Sequence, residues 1–131
     1  MSGTFGNGFG IFAVSGNNAP TTPSTFVVNN PTDTPVAGET DLRQAITLAN
    51  TTAGDNTITF DPTVFATPQT ITLAGTQLTL GNTTGTETIM GPAAGVTISG
   101  GGLSRVFQVD SGVTASISEA IRYFFPVIPG I

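Results

Sequence analysis

The residues of this chain that can do chemistry are eight carboxylates and three arginines. The carboxylates are Asp33, Glu39, Asp41, Asp55, Asp61, Glu87, Asp110 and Glu119, and the cations are Arg43, Arg105 and Arg122. The chain has no His, which removes the usual general base and the commonest transition-metal ligand. It has no Cys either, so thiol nucleophiles, disulfides and thiolate metal sites are excluded. What remains is carboxylate chemistry. Glycoside hydrolysis needs two carboxyl groups roughly 5 to 10 Å apart. Asp55 and Asp61 are close enough in sequence to qualify, but Asp61 precedes Pro62 and reads as a plain turn. None of the eight stands in a D-D or D-x-D pair. The GGG at 100–102 lacks the Lys and Ser/Thr of a phosphate loop and the Asp of a calcium-binding nonapeptide, so it reads as a tight corner. Asn50 and Asn82 each begin an N-T-T triplet that matches a glycosylation acceptor, a frequent coincidence in a Thr-rich chain. The expectation is no catalytic residue, no cofactor and no metal.

Composition narrows the role further. A chain of 131 residues and 13.2 kDa makes one domain with a narrow core. Hydrophobic residues are 38% and charged residues only 8%, with a mean hydropathy of +0.24, so the surface must be mostly Thr, Ser, Asn and Gly. Low charge with much Thr and Gly points to an extracellular or cell-surface setting. A net charge of -5 without a single Lys leaves no basic patch, which argues against nucleic acid, whose phosphates require several cations. No run approaches the roughly 18 apolar residues that would cross a bilayer, so membrane insertion is not expected. The first residues carry an apolar patch from Phe9 to Val14 without a basic flank, and no signal peptide is legible.

The elements that must position these groups are short alternating runs between residues 57 and 117. Ile58 and Phe60, Ile71 and Leu73, Leu78 and Leu80, Val96 and Ile98, and Phe107 and Val109 all sit at i and i+2, the period of a strand with one buried face. Alternate runs recur at 20, 18 and 19 residues (Ile58, Leu78, Val96, Ala115), and the interleaved set at 18 (Ile71, Ile89, Phe107). Two strand series returning about every nineteen residues predict a chain that winds as a coil, with Leu78 stacked on Val96. The same spacing places Ala115 and Ile117 inward with the residues above, while Thr57, Thr59, Thr72, Thr79, Thr88 and Thr97 face outward as hydroxyl ladders. Glu87 interrupts this pattern two positions before Ile89. Either the strand starts later and Glu87 sits on a corner, or a buried carboxylate needs a partner.

Before the coil, STFVVN at 24–29 reads as a first strand and PTDTP at 31–35 ends it. Residues 41–50 then predict an amphipathic helix, with Leu42, Ala45, Ile46 and Ala49 as one stripe, Asp41 as cap and Gln44 completing a capping box. Such a stripe suits the open end of a coil, which otherwise exposes apolar side chains and unpaired amides. The succession of a strand, ETDLRQAITLAN, AGDNTITFDP, TITL, the Gly91–Pro92 turn and VTISGGGLSRVFQV is similar to the N-terminal capping region of bacterial right-handed parallel β-helix proteins. These are large surface or secreted proteins, many of the adhesin or polymorphic outer-membrane type, and the likeness spans residues 26–117. It implies an all-β fold, a right-handed parallel β-helix of about three turns with an N-terminal capping helix. The fold also hosts pectate-lyase-like enzymes, which use carboxylates for Ca²⁺ with an Arg base. Here Asp110 with Arg105 is the nearest approach to that set, and it reads as a turn salt bridge or solvated charges.

Three regions are therefore expected. Residues 1–24, with Phe5, Phe9 and Phe12 between glycines, read as a flexible leader or an assembly arm. Residues 25–118 form the capped coil. Residues 119–131 form an apolar tail or cap: either a short helix from Ser118 that plugs the coil with Ile121, Phe124 and Phe125, or a new turn begun by Phe125 and Val127 and stopped by Pro126 and Pro129. The functional expectation is a non-catalytic structural or cell-surface solenoid that self-associates through its ends and apolar termini into dimers or fibres. Alternatives are a Thr-rich face that binds carbohydrate or ice, and a polysaccharide lyase or hydrolase.

Overall fold

In the computed structural model, which describes residues 23–124, the alternating runs become nine strands and the apolar stripe becomes the single helix among the described residues. In chain order these are β1 (Ser24–Val28), α1 (Leu42–Thr51), β2 (Asn56–Phe60), β3 (Gln69–Thr72), β4 (Leu78–Leu80), β5 (Thr86–Ile89), β6 (Val96–Ser99), β7 (Phe107–Val109), β8 (Thr114–Ile117) and β9 (Ile121–Phe124). Every pairing is parallel. Three sheets result, ordered β1-β2-β5-β8, β3-β6-β9 and β4-β7. The chain visits the three in rotation, so each circuit lays one strand on the strand of the circuit before. This is a β-solenoid of about four turns, in which the crossover between parallel neighbours is made by other strands instead of helices.

The stacking differs from the expected nineteen-residue repeat. Ile58 lies beside Ile89, 31 residues on; Ile71 beside Ile98, 27 on; and Leu78 beside Phe107, 29 on. Leu78 and Val96 belong to different sheets, and Val96 lies between Gln69 and Ile121. The physical reason is that every run carries the same i, i+2 signature. Periodicity finds the strands, but the number of strands that closes one circuit depends on the turns between them. Three short strands per circuit, not two, let this chain close around its core.

The helix forms as expected. Asp41 accepts from the Gln44 backbone N–H at 2.7 Å, and the Gln44 side chain accepts from the Asp41 N–H at 2.9 Å, a complete capping box. Leu42, Ala45, Ile46 and Ala49 are all buried, and α1 packs on β1, β2 and β4. Its polar side chains finish the strand edge beside it. Asn50 donates to the Thr79 carbonyl and accepts from the Gly81 N–H, both at 2.9 Å, as a neighbouring strand would. Arg43 makes a two-pronged pair with Asp33 and donates to the carbonyls of Thr76 and Gln77, while Asp33 accepts from the Ala74 N–H. The hydrogen bonds that Arg43 donates to Asp33 raise its pKa further than burial lowers it.

One core runs down the coil, from Val28 and the helix stripe through Ile58, Ile71, Leu78, Leu80, Ile89 and Ile98. Each side chain of that size contributes about 1.5 to 3 kcal/mol when fully buried. Phe65, from the turn after β2, inserts edge-on against Phe60 with centroids 5.0 Å apart. Val109, expected inward, is 46% exposed although its register partner Leu80 is 0% exposed. Val109 has no strand stacked above it among the described residues, and the adjacent Val106 is buried in its place. The helix expected from Ser118 is replaced by β9. Its backbone pairs with β6, and Ser118 instead accepts from the Gly91 N–H at 2.9 Å. The coil thus runs on past residue 118. Of the leader or arm expected at residues 1–24, residues 1–22 lie outside the described residues, as does the alternative turn at Phe125 and Val127.

Candidate functional site

The carboxylates are used locally, and the coil does not gather them. Asp41 caps α1 and Asp33 holds Arg43. Asp55 accepts from the Thr86 N–H at 2.8 Å, which ties the turn before β2 to the start of β5. Asp61 closes its own turn by accepting from the N–H groups of Thr63 and Val64. Asp55 and Asp61 flank opposite ends of β2, roughly 20 Å apart at strand rise, beyond the reach of a shared glycosidic bond. Asp110 accepts from the Gln108 side chain, and the single ion pair among the described residues is Arg43–Asp33, so Arg105 and Asp110 are solvated charges. No group of three or more His, Cys, Asp or Glu that could hold a metal occurs among the described residues. A 470 Å³ cleft along α1 holds one carboxylate, Glu39, beside Arg43, which Asp33 already engages. A 320 Å³ groove lined by Pro68, Gln69, Val96, Thr97 and Arg122 contains none, nor does a 470 Å³ cleft at Phe60, Pro62, Phe65 and Pro92.

Two surfaces remain. The first is the outer face of the four-stranded sheet. Its register aligns Thr25, Thr57, Thr88 and Ser116 as one row of hydroxyls crossing all four strands, with neighbours about 4.8 Å apart. The outward threonines were legible from alternation, but the register that aligns these four was not. The second is the edge made by β7, β8 and β9, each the last strand of its sheet among the described residues. Phe107, Ala115 and Ile117 are only partly buried there, and Val109 and Tyr123 are 46% and 49% exposed. Phe107 meets Tyr123 edge-on at 5.5 Å between centroids, so the edge carries an aromatic pair.

Inside the coil sits a polar group that the strand pattern flagged only as an irregularity. Glu87 points inward from β5 and is 0% exposed, beside Asn56 of β2 and Ala115 of β8. The corner alternative for Glu87 is therefore overturned: its position in the β2 register forces the side chain inside. Neither carboxylate oxygen has a hydrogen-bond partner, and burial raises its pKa above the ordinary glutamate value. Asn56, which the sequence reading did not single out, and Asn82, which it read only as a glycosylation triplet, are both buried and both donate to the carbonyls of Ala49 and Thr52 at the end of α1. Their signal was an Asn at the start of, or just after, an apolar run, which reads as turn chemistry until the helix end is placed beside it.

Compared with known proteins, the chain matches no family model, no curated protein and no solved structure.

Proposed function

We propose that this chain is a non-catalytic structural protein, a right-handed parallel β-helix capped at one end by α1, that associates through the opposite end with a second copy of itself. The observation that carries this reading is the contrast between register partners one circuit apart. Ile89 is 0% exposed whereas Ile117 is partly open, and Leu80 is 0% exposed whereas Val109 is 46%. An edge with apolar side chains and unpaired strand groups is a template for another strand layer. Because the helix covers the other end, head-to-tail growth is blocked. Edge-to-edge contact then relates two copies by a twofold axis and yields a closed dimer, not a fibre. The resemblance to the capping regions of surface and secreted β-helix proteins supports a cell-surface or extracellular setting for such a rod. The engagement of Asp33, Asp41, Asp55 and Asp61 in caps and turns supports a role without catalysis. An assay on polygalacturonate with and without a chelator tests that part, and chelator-sensitive cleavage would overturn it.

The association is tested by light scattering on the intact chain and on Ile117→Lys. The intact chain should have the mass of two copies at micromolar concentration. Ile117→Lys should have the mass of one, with an unchanged circular dichroism spectrum. A single-copy mass for the intact chain at every concentration defeats the reading.

The hydroxyl row of Thr25, Thr57, Thr88 and Ser116 favours a second reading, a flat face that binds carbohydrate or ice. Loss of glycan or ice retention in Thr57→Val with Thr88→Val, with mass unchanged, would establish it over the first.

A further inference from the structure

Around Glu87 the donors and acceptors do not balance. Asn56 Nδ2 donates to three carbonyls, Ala49 at 3.2 Å, Thr52 at 2.7 Å and Gly54 at 3.1 Å, which fixes the orientation of its amide. Its Oδ1 is therefore turned away from them and is buried without a partner. Asn82 Nδ2 is spent on the Ala49 and Thr52 carbonyls, and its Oδ1 accepts from the Thr84 N–H and hydroxyl. What remains inside are three orphaned oxygens, Asn56 Oδ1 and both oxygens of Glu87, on register partners that point to the same face. The Asn82 N–H lowers the Glu87 pKa against the larger effect of burial, but it does not meet hydrogen-bond geometry with either carboxylate oxygen. A cation would need about six oxygens, and only these three are free. One proton supplies the missing donor.

We propose that Glu87 is carried in the coil as the neutral acid, its hydroxyl donating to Asn56 Oδ1, and that this proton makes the joint between α1, β2 and β5 weaken as pH rises. Burial favours the neutral form and outweighs the Asn82 N–H, which favours the charged one. The carbonyl end of α1, the negative end of its dipole, is held against Asn56 and Asn82. The nearest titratable groups on the adjoining turns, Asp55 before Asn56 and Asp110 beside Gly81, are both exposed, and neither acts on Glu87 through its charge. β8 contributes Ala115, and the last turn of α1 contributes no charge. The only cation on α1, Arg43, is at its other end and bound to Asp33.

The sign follows from linkage. The folded value lies above the unfolded one, so the stabilisation is complete below the ordinary glutamate pKa of 4.5 and is lost as pH climbs through the raised value. The probe is the proton itself. Thermal melts of the whole chain and of Glu87→Gln, whose amide can donate to Asn56 Oδ1 without titrating, are compared from about pH 4.5 upward. The melting temperature of the wild type should fall relative to Glu87→Gln by about 4 °C or more across that range. Parallel curves, a reversed difference or a Glu87→Gln chain that does not fold would overturn the proposal. The ¹³C carboxyl resonance of Glu87, separable from those of Glu39 and Glu119, should titrate above the ordinary glutamate value, and a midpoint at or below it would overturn the proposal without any variant. Stabilisation of the wild type by added Ca²⁺ or Na⁺ that Glu87→Gln lacks would replace the proton with a cation and also overturn it.

Discussion

The two ends of this coil are built from the same kinds of residue and are finished differently. On the β1 side, α1 packs on β1, β2 and β4 and buries Leu42, Ala45, Ile46 and Ala49, each 3% exposed or less, while Asn50 and Arg43 complete the hydrogen bonding of the strand edge and turn beside them. At the β7–β8–β9 end no element lies above the strands among the described residues, and Ile117, Phe107 and Val109 keep part of their surface in water. The lesson is that burial in a solenoid belongs to the layer, not to the residue. An inward position is dry only when another circuit or a cap lies beyond it.

Substitutions of matched residues at the two ends break or sharpen this contrast. The largest difference should come from Ile46→Ala against Ile117→Ala. Ile46 is 3% exposed under the helix, and its truncation should cost about 2 to 5 kcal/mol in urea unfolding. Ile117, only partly buried, should cost about 1 kcal/mol in the single-copy protein. Equal costs would mean that the far end is covered after all.

A smaller difference is expected at glycines. A Cβ on Gly85 would run into the Gly54 carbonyl and lie 2.6 Å from the Asp55 nitrogen, so Gly85→Ala must push two circuits apart and should cost about 1 to 3 kcal/mol. Gly112, next to the open end, has φ +81° with nothing nearer than 3.8 Å to its missing Cβ. Gly112→Ala should cost about 1 kcal/mol, from backbone strain alone. The smallest pair is Asp41→Ala, which removes the helix cap and should cost about 1 kcal/mol, against Thr114→Ala on the exposed face of β8, which should cost less than about 0.5 kcal/mol. Thermal denaturation resolves both, and a reversed order would contradict the assignment of α1 to the covered end.

Much of this was readable in advance, and what was not has a physical cause. Alternation located the nine apolar inward strand positions from Ile58 to Ile98, because a half-buried strand repeats its side-chain direction every two residues whatever it pairs with. The α1 stripe and its capping box were equally local. Phe65 and Val106 were missed because they enter the core from turns, where no period operates. A helix from Ser118 was one of two alternatives where β9 forms, because IRYF fits either state and only pairing with β6 decides it. For the candidate surfaces, the outward threonines were visible individually, while their alignment across four strands needed the register.

The amino-acid order thus set the strand positions from Ile58 to Ile98, the helix and its capping box, which follow from interactions within a few residues, while the inward turn of Glu87 was decided by its place in the β2 register. The number of strands per circuit, the partners of Leu78 and Val96, the burial of Asn56 and Asn82 under the helix end, and the difference between Leu80 and Val109 arose only on folding. These depend on which distant segment comes to lie alongside, and strands of identical alternation carry no local mark of their neighbour.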